Sequence, residues 1–413
     1  MIGKNRVPFA RTASVKRLLS VVAILLSFWA ASCRGKAPEV ERRLENGVEV
    51  VINHLTAERL RKAAHPLRLD ELFVIDTERA DLAKAGLDKI WGFDVNSRNE
   101  VFIFRSPLYS GNLIFRFDPG GRLEGSFGPR GEGPGELGIP ISQMVEANDE
   151  ISVPDSAKRK IFVFDREGRL RKEIPIKPRL RPTSDLLIPL RPDRFLFRRV
   201  EFDPSAPNAK VVYIYSVVDR DYSEVKELER LLFEPLERTS RFRYPIGFIR
   251  WAVSGDKIFL AREDHGCEIR SYDFKGNRLR NVRIEAPPIK YPDRLKREAL
   301  RALEAPSLAL FKAKIEFADP APPFQHFWAD DEGRMYLMTY EEGPGPGEFQ
   351  VDIFDNRGAF IGRSAMNIHL TETLDTSWHY DSYTTMKNGR LYCLREKENG
   401  YLELVAYRVS WNN

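Results

Sequence analysis

A strand signal that recurs six times limits the fold of this chain more than any other feature. Each copy is a turn followed by a short apolar run, and the runs begin at Val101, Ile151, Phe195, Ile258, Met335 and Leu391. In each of the first five copies a second run follows and ends in Asp, usually with Gly three residues later, as at Asp165 and Gly168. Alternating apolar residues form half-buried strands, and Gly in such a turn can adopt positive φ.

Six units of this kind predict an all-β protein, because each has room for four strands. Four-stranded sheets of about 40 to 50 residues arranged around an axis are the blades of a β-propeller. We therefore expect a six-bladed β-propeller of four-stranded antiparallel blades. The blades are predicted at about 90–127, 138–176, 183–228, 247–285, 325–363 and 382–411. The alternating segment 67–75 is expected to close the ring against the last blade, so that 67–411 forms one domain.

One region interrupts the repeats. Between 292 and 314 the apolar residues, including Leu295, Ala299 and Leu303, have helical spacing, and Pro306 should end the helix. This pattern predicts a short helical insertion. It either caps one face of the propeller or shields a sheet edge, and we favour the second role.

The N-terminal stretch 1–32 has the pattern of a secretory signal peptide. It contains five basic residues and no acid, and 18–31 is an apolar run broken only by Ser20 and Ser27. Fourteen helical residues span about 21 Å, which is short of the ~30 Å hydrocarbon core of a membrane. A basic region, an apolar stretch of this length and small residues before a cleavage site are typical of a secretory signal.

The sequence Ala30-Ala31-Ser32-Cys33 resembles a bacterial lipobox. The resemblance implies that Cys33 receives a lipid and becomes the N-terminus of a mature protein anchored to a membrane of the bacterial cell envelope. Lipoboxes usually have Leu at the position of Ala30, so an ordinary signal peptide with a nearby cysteine is the alternative. Residue 34 is Arg rather than the Asp that retains lipoproteins at the inner membrane, which favours the outer membrane or cell surface. The charged residues after Cys33 lack a pattern up to about 50, and 33–66 is predicted to be a tether and N-terminal segment.

Removal of the signal peptide also removes the net charge. The full chain has 65 Lys and Arg against 60 Asp and Glu, and the excess of five lies entirely within residues 1–32. The mature chain is therefore formally neutral. Because binding to a phosphate backbone requires a basic surface, we expect no nucleic-acid partner.

Two cysteines remain after Cys33, and they leave the redox state open. Cys267 and Cys393 could pair in an oxidising compartment. They fall, however, in repeats that are not adjacent, and Cys393 stands between apolar neighbours. A small buried residue is the simpler interpretation of Cys393.

The second repeat carries a resemblance to a known family. Residues 127–137 contain Phe127, a Gly-rich linker and a Glu-Leu pair, and they are followed by a Pro and a strand that ends at Asp165 and Gly168. This stretch resembles an NHL repeat, and 67–411 resembles bacterial lipoproteins known as six-bladed β-propellers. A second Gly-Pro-rich stretch, 343–349, falls inside a blade, which indicates a long loop rather than another linker.

The sequence contains none of the common catalytic motifs GxSxG, HExxH, Walker loop or CxxC, which leaves open whether the protein is an enzyme. A site is expected at the mouth of the channel, where inner strands and loops of several blades converge. The polar residues near the predicted inner strands are Asp94, Gln143, Asp185, Arg250, His326 and Tyr383. Aromatic residues lie near them in sequence, namely Trp91, Trp251, Phe327 and Trp328. A lone His in such a position is most often a hydrogen-bonded core or loop residue.

These features favour a binding or scaffold protein of the cell envelope that recognises a protein, peptide or glycan on one propeller face. The alternative is an envelope hydrolase, lactonase or lyase with a divalent metal such as Ca²⁺ in the channel, held by oxygen ligands from different blades. A structural spacer in a surface complex is a third hypothesis. No cofactor is predicted, and the fold alone does not decide between these functions.

Overall fold

The computed structural model of the chain describes residues 38–106, 108–140, 144–146, 148–176, 186–191, 193–203, 210–219, 223–233, 242–244, 249–262, 266–302, 315–368, 384–397, 399 and 401–411. Strands dominate this part of the chain. Its first elements are β1 (Val40–Glu45), β2 (Val48–His54), the helix α1 (Ala57–Arg61), β3 (Leu67–Asp76) and the helix α2 (Ala80–Ala85).

Six antiparallel units of four strands follow one another along the described chain. Blade 1 contains β4 (Gly92–Val95), β5 (Val101–Phe104), β6 (Asn112–Phe117) and β7 (Leu123–Pro129). Blade 2 contains β8 (Met144–Val145), β9 (Ile151–Asp155), β10 (Lys160–Phe164) and β11 (Leu170–Pro175). Blade 3 contains β12 (Leu186–Arg191), β13 (Arg194–Asp203), β14 (Lys210–Asp219) and β15 (Glu224–Phe233).

The second half of the ring has longer insertions between its blades. A short strand, β16 (Phe242–Tyr244), precedes blade 4, which contains β17 (Arg250–Ser254), β18 (Lys257–Arg262), β19 (Cys267–Asp273) and β20 (Arg278–Glu285). The helix α3 (Asp293–Ala302) and β21 (Ile315–Phe317) precede blade 5, which contains β22 (His326–Ala329), β23 (Met335–Glu342), β24 (Phe349–Phe354) and β25 (Phe360–Met366). Blade 6 begins with β26 (Thr384–Lys387), β27 (Arg390–Glu396) and β28 (Leu402–Trp411). The chain is therefore a six-bladed β-propeller, as the repeats predicted.

The ring is closed by strands from the two ends of the domain. The outer strand of blade 6 is β3, which pairs antiparallel with β28 from Asp76 opposite Glu403 to Leu67 opposite Trp411. The strand expected at 67–75 is thus present and occupies the expected place. Because β3 leads directly through α2 into blade 1, this pairing joins the last blade to the first.

The N-terminal segment departs from the expected tether. Instead of an unpatterned stretch up to about residue 50, the structure has the β1–β2 hairpin, and β2 pairs in parallel with β20. Blade 4 therefore becomes a six-stranded sheet in the order β1-β2-β20-β19-β18-β17. The alternation in 40–54 was hidden by charged residues such as Arg42, Arg43 and Glu49, which form ion pairs on the exposed hairpin. This segment belongs to the folded body.

Hydrophobic packing is concentrated between the blades. Within the described residues, buried apolar side chains form six clusters, and each cluster joins two neighbouring blades. The cluster between blades 1 and 2, for example, contains Phe102 and Phe127 from one blade and Val153 and Phe162 from the other. Each blade thus buries both of its faces, which explains why the runs that predicted the strands are nearly continuous in apolar residues.

The connections between the blade strands divide the propeller into two faces. The connections from the first to the second and from the third to the fourth strand of a blade have five residues or fewer, such as 96–100, 118–122 and 165–169. We call their side the short-turn face. The other connections between blade strands emerge on the opposite side, the long-loop face. The longest of them link blade 3 to 4, 4 to 5 and 5 to 6, and they cover 234–249, 286–325 and 367–383.

The Asp-x-x-Gly signal forms the same turn several times on the short-turn face, and the glycine of each turn packs against the preceding blade. We call this contact the glycine lock. At the β10–β11 turn the Asp165 carboxylate accepts a hydrogen bond from the backbone N–H of Arg169, and Gly168 adopts a φ of 83°. A Cβ added at Gly168 would lie 2.4 Å from Cγ of Phe127, which is on the outer strand of blade 1. The equivalent glycines meet outer-strand side chains of the preceding blade in the same way, namely Gly121 against Phe73, Gly276 against Lys226 and Gly358 against Val282.

The helix α3 covers the long-loop end of blade 5. Leu295 and Ala299 are buried in the cluster between blades 5 and 6. Arg294 lies 5.1 Å from the centre of the Phe349 ring and forms an ion pair with Glu342 at 3.3 Å, and these two residues flank the β23–β24 loop. The helix therefore caps a face, and not a sheet edge as the sequence analysis favoured. The rest of the predicted insertion, 303–314, lies outside the described residues.

The two Gly-rich stretches differ in position but share a turn. Residues 130–140 link blade 1 to blade 2, whereas 343–348 connect β23 and β24 within blade 5, as the sequence indicated. In the linker the Glu136 carboxylate accepts from the N–H of Gly133, and in the loop Glu348 accepts from the N–H of Gly345. The same short motif thus forms the same turn in two structural contexts.

Candidate functional site

His326 is the first residue of β22, the inner strand of blade 5, at the long-loop end. Its ring is buried and stacks on Trp328, with 5.5 Å between ring centres, and Trp328 in turn stacks on Tyr336 at 5.4 Å. Burial and the nearby positive charge of Arg250 lower the pKa of His326 to about 3. The imidazole is therefore neutral at ordinary pH, and its Nε2 atom can either donate or accept a hydrogen bond.

Three side chains on the inner strands of blades 5 and 6 carry buried polar atoms that lack a hydrogen-bond partner in the described structure. The atoms are His326 Nε2, Trp328 Nε1 and Thr384 Oγ1, and we call these residues the inner polar set. Buried polar groups without a partner are uncommon in native proteins, because each destabilises the fold by about 1–3 kcal/mol. Three of them on two neighbouring inner strands therefore call for an explanation.

Strand pairing places the inner polar set on one interface. His326 and Trp328 pair across the sheet with Met338 and Tyr336, both of which belong to the cluster between blades 5 and 6. Thr384 pairs with Cys393, which belongs to the same cluster from the side of blade 6. Directly opposed residues share a face of the sheet. All three side chains therefore face the space between blades 5 and 6.

Arg250 brings positive charge to the same end of the channel. It is the first residue of β17, and β17 is the inner-strand neighbour of β22. Arg250 pairs across the sheet with Ala261, a member of the cluster between blades 4 and 5, so its side chain points toward blade 5. The structure thus brings together two of the predicted site residues, His326 and Arg250, from adjacent blades.

Asp94 lies elsewhere and has structural partners. It is the third residue of β4, close to the short-turn end, and its carboxylate accepts hydrogen bonds from Lys387 Nζ and the backbone N–H of Val145, each at 2.8 Å. Lys387 also donates to the carbonyl oxygen of Val95 at 3.0 Å. Asp94 therefore ties blade 1 to blades 6 and 2, and the structure does not bring it to His326.

The remaining predicted site residues, Gln143, Asp185 and Tyr383, lie outside the described residues, as does Cys33. The aromatic residues named with them have different surroundings. Trp91 and Trp251 are partly buried, next to the clusters between blades 1 and 2 and blades 3 and 4, and Phe327 is buried between blades 4 and 5. Only Trp328 joins His326.

Sequence reasoning missed Thr384. The signal that could have found it is positional, because Thr384 begins the inner strand of blade 6 as His326 begins that of blade 5 and Arg250 that of blade 4. Its neighbour Tyr383 was predicted instead. The sequence pattern locates the start of an inner strand only to within about one residue. A shift of one residue moves a side chain to the other face of the sheet.

Other buried charges in the described chain have partners and are structural. Glu229, between blades 3 and 4, accepts hydrogen bonds from Arg262, Arg270 and Tyr272, and these offset its burial and lower its pKa. In blade 5, burial raises the pKa of Asp352 to about 6 although Arg363 binds it at 2.9 Å.

The cysteines are likewise structural. Cys267 and Cys393 are both buried and do not form a disulfide, and burial raises the pKa of Cys393 to about 12. A thiol so far from ionisation is a poor nucleophile. Cys393 is the small buried residue that the sequence favoured.

Among the described residues, no group of three or more His, Cys, Asp or Glu side chains could hold a metal ion. No helix among them is long and apolar enough to cross a membrane.

The fold defines the chain as a six-bladed β-propeller, and comparison with known proteins adds little. No family model and no curated protein sequence matches it. Among solved structures, a Bacteroides fragilis protein provisionally named as exported matches with 12% identity over 87% of this chain and 99% of its own, at a TM-score of 0.49. A DUF4221 member from Bacteroides vulgatus matches with 12% identity over 91% of this chain and 100% of its own, at a TM-score of 0.44. Virginiamycin B lyase from Staphylococcus aureus matches with 12% identity over 82% of this chain and 88% of its own, at a TM-score of 0.32. Similarity at these levels gives no information on function.

Proposed function

We propose that this protein is a lipid-anchored binding protein of the bacterial cell envelope, and that it recognises a ligand at the long-loop face near blades 4 to 6. The observation that carries the proposal is the inner polar set, whose three buried polar atoms lack partners in the described structure. A ligand that supplies hydrogen bonds to them removes the penalty of burying them unpaired.

The chemistry of the set specifies the kind of ligand group. The indole Nε1 of Trp328 is only a donor, while neutral His326 and the Thr384 hydroxyl can both donate. Arg250 adds a positive charge from the neighbouring blade. Three donors beside a cation match a group that is rich in oxygen acceptors and carries negative charge, such as a carboxylate. A peptide, a protein segment or an acidic glycan can present such a group.

The test uses the indole and imidazole resonances as local reporters. Mature protein in detergent, with ¹⁵N-labelled Trp and His, is titrated with an acetylated dipeptide that has a free carboxylate and, separately, with its C-terminal amide. We expect the Trp328 indole signal, assigned with Trp328→Phe, to shift with the carboxylate and not with the amide. Arg250→Gln should weaken that response by about tenfold, as expected for loss of a charge-assisted hydrogen bond worth about 1.4 kcal/mol.

The matched control is Arg262→Gln, because Arg262 is also on blade 4 but is bound to Glu229 in the core. If this variant stays folded, its response to the dipeptide should be that of the unmodified protein. Absence of any Trp328 or His326 shift at millimolar dipeptide would contradict the proposed site.

The anchor has its own test. The resemblance of Ala30-Ala31-Ser32-Cys33 to a lipobox supports lipidation of Cys33. An alkyne fatty acid fed to producing cells should label the protein, and Cys33→Ser should remove both the label and the association with membranes. Unchanged labelling of Cys33→Ser would refute lipidation at this residue. Fractionation of the two membranes tests the further expectation, based on Arg34, that the protein resides in the outer one.

The NHL-like character of 127–168 remains part of the proposal. It is supported by the position of the Gly-rich residues 130–140, which link two blades. The alternative of a hydrolase, lactonase or lyase with a channel metal stays a prediction. Its test is a thermal melt with EDTA and then Ca²⁺, since a metal at one hundred times its Kd stabilises the native state by about 2.7 kcal/mol.

A further inference from the structure

A stack of three rings contains two of the side chains that form the candidate site. The Trp328 indole is parallel to the Tyr336 ring, with 5° between their planes and 5.4 Å between their centres, and it also stacks on His326. Because Trp328 Nε1 has no hydrogen-bond partner in the described structure, the direction in which it points is set by packing. Stacking on the fully buried Tyr336 is therefore a main restraint on the plane of the indole.

The hydroxyl of Tyr336 is itself fixed. It donates to Asp330 Oδ2 at 2.8 Å, and the same oxygen accepts from Arg334 at 3.0 Å. Asp330 Oδ1 accepts from the backbone N–H groups of Glu332 and Arg334, so both carboxylate oxygens are used. Burial and the charge of Asp330 raise the pKa of Tyr336, so its hydroxyl stays protonated and remains a donor. A Phe at this position would fill the same space without the restraint at the edge of the ring.

The turn that contains Asp330 also binds both neighbouring blades. It connects β22 to β23 on the short-turn face. Ser254 of blade 4 donates to the carbonyl oxygen of Asp330, and the backbone N–H of Asn388 in blade 6 donates to Asp331 Oδ2 at 2.6 Å. Blades 4, 5 and 6 are the three whose inner strands form the candidate site. The residue that fixes Tyr336 is therefore held in place by all three of them.

We propose that Tyr336 is a positioning residue of the candidate site: together with Asp330 it fixes the plane of Trp328 before a ligand arrives, so that the indole N–H is already aimed at the ligand carboxylate. This inference rests on the proposed function and deepens it, because it assigns the preorganisation of the site to a buried residue behind the binding groups. A donor that needs no ordering on binding loses less conformational freedom, and the ligand is bound more tightly through the same hydrogen bond.

Tyr336→Phe tests this role because it removes the hydroxyl and keeps the ring. Mature protein with ¹⁵N-labelled Trp and His is titrated with the acetylated dipeptide that has a free carboxylate. We expect the variant to bind the dipeptide about three- to tenfold more weakly, as when a side chain must be ordered on binding. Without dipeptide, the Trp328 indole signal should be a single sharp line in the unmodified protein and broadened or doubled in the variant. Addition of the dipeptide should sharpen it again.

Tyr392→Phe is the matched control. Tyr392 is also fully buried, and its hydroxyl donates to Asn99 Oδ1 at 3.0 Å, but it belongs to the cluster between blades 6 and 1, away from the stack. Each variant loses one buried hydrogen bond, so urea should unfold both at similarly lowered midpoints. Only Tyr336→Phe should change the Trp328 line shape and the dipeptide affinity. Equal changes of both readouts in Tyr392→Phe would overturn the assignment.

A double-mutant cycle shows whether Tyr336 acts through Trp328. In a Trp328→Phe background, with the His326 imidazole signal as the reporter, Tyr336→Phe should change the dipeptide affinity less than about twofold. The full loss in that background, or an unchanged Trp328 line shape in Tyr336→Phe, would overturn the positioning role. Absence of any dipeptide response in the unmodified protein would instead contradict the proposed function, and the Trp328 line shape without dipeptide would still decide the positioning role.

Discussion

The two faces of this propeller are built on opposite principles. On the short-turn face, the connections have five residues or fewer, and most of those that the structure describes repeat one chemistry. An Asp or Asn side chain caps the turn, as Asn96 and Asp118 do by accepting backbone N–H groups. On the long-loop face, the connections are long and varied, and those between blades 3, 4 and 5 include β16, α3 and β21. One face thus holds the blades in register, while the other is free to vary, as expected for loops that carry function on a rigid scaffold.

The difference is also visible in how polar groups are treated. Asp94 and Lys387, near the short-turn end of the inner strands, satisfy each other and two backbone groups. At the long-loop end, His326 and Thr384 keep polar atoms without partners in the described structure. The two ends of these inner strands thus differ in how their polar side chains are paired. The following predictions test this division, beginning with the largest expected effect.

The glycine lock of the short-turn face gives the largest effect. We expect Gly168→Ala to reduce the free energy of unfolding by about 3 kcal/mol, since it combines strain at positive φ with overpacking against Phe127. Gly255→Ala is the matched control, because Gly255 has a φ of 58° but nothing within 4 Å of an added Cβ, and it should lose only about 1 kcal/mol. Urea unfolding followed by Trp fluorescence measures both.

A double-mutant cycle then isolates the lock. In a Phe127→Ala background the ring that meets Gly168 is gone, so Gly168→Ala should be less damaging by about 2 kcal/mol. Additivity of the two changes within about 0.5 kcal/mol would mean that the glycine does not pack against the preceding blade.

The second prediction concerns acid. The folded-state pKa of His326, about 3, lies below the ordinary value of 6.5, so the unfolded chain binds more protons between these values and stability falls as the pH drops below 6.5. From pH 6.5 to pH 5 the loss is about 2 kcal/mol, at about 1.4 kcal/mol per pH unit. Because Asp352, whose pKa is raised to about 6, titrates in the same range with the opposite sign, the test is the difference between two proteins. Urea unfolding should show that the unmodified protein loses about 2 kcal/mol more than His326→Gln between pH 6.5 and pH 5. Coincident pH profiles of the two proteins would argue that the imidazole is solvated.

The short-turn face responds to acid in a different range. Hydrogen bonds led by the backbone N–H of Arg122 outweigh partial burial and lower the pKa of Asp118 below its ordinary 3.8. Its contribution to stability is therefore complete above pH 3.8 and is lost as the pH falls through the lowered pKa. Asp118→Asn should change the pH profile only below about pH 4 and leave the loss between pH 6.5 and 5 intact.

The smallest effect is expected at Asp94. Asp94→Asn keeps an oxygen acceptor but loses the charge that binds Lys387, so it should lower stability by about 1 kcal/mol. Asp88→Asn is the control, since Asp88 is exposed and its pairing with Arg105 should contribute less than about 1 kcal/mol. If Asp94 is structural, the variant should bind the dipeptide carboxylate as the unmodified protein does. A weakened Trp328 response would instead indicate that Asp94 is part of the ligand site.

The parts of the fold that sequence could predict are those with local signals. Such a signal is contained within a few residues of sequence. Examples are the six apolar runs, the strand at 67–75 and the turn at Asp165 and Gly168. The β1–β2 hairpin has no such signal, because its partner β20 lies in the fourth blade, far along the chain, and its exposed side chains are charged. The local sequence pattern of β2 therefore cannot indicate that it pairs with so distant a strand.

The candidate site was predictable only in part for a related reason. His326 and Arg250 were found because each begins an inner strand, and equivalent positions in a ring of blades converge. Asp94 is the third residue of β4, as Trp328 is of β22, but its carboxylate is already bound by Lys387 and by the N–H of Val145. Composition identifies candidate side chains, but the neighbours in the folded chain decide which of them are already paired.

The closure of the ring by β3 and β28 sets an order of events for a chain that is made from its N-terminus. The strand β2 cannot pair until β20 has been synthesised, and β3 cannot pair until β28, the last strand that the structure describes, has been synthesised. Both strands therefore remain unpaired edges during synthesis of the rest of the chain. Unpaired edges invite association with other chains. A chain that stops before Leu402 leaves both β27 and β3 with an unpaired edge. The strand β28 therefore determines whether the chain closes its ring or remains a fragment prone to association.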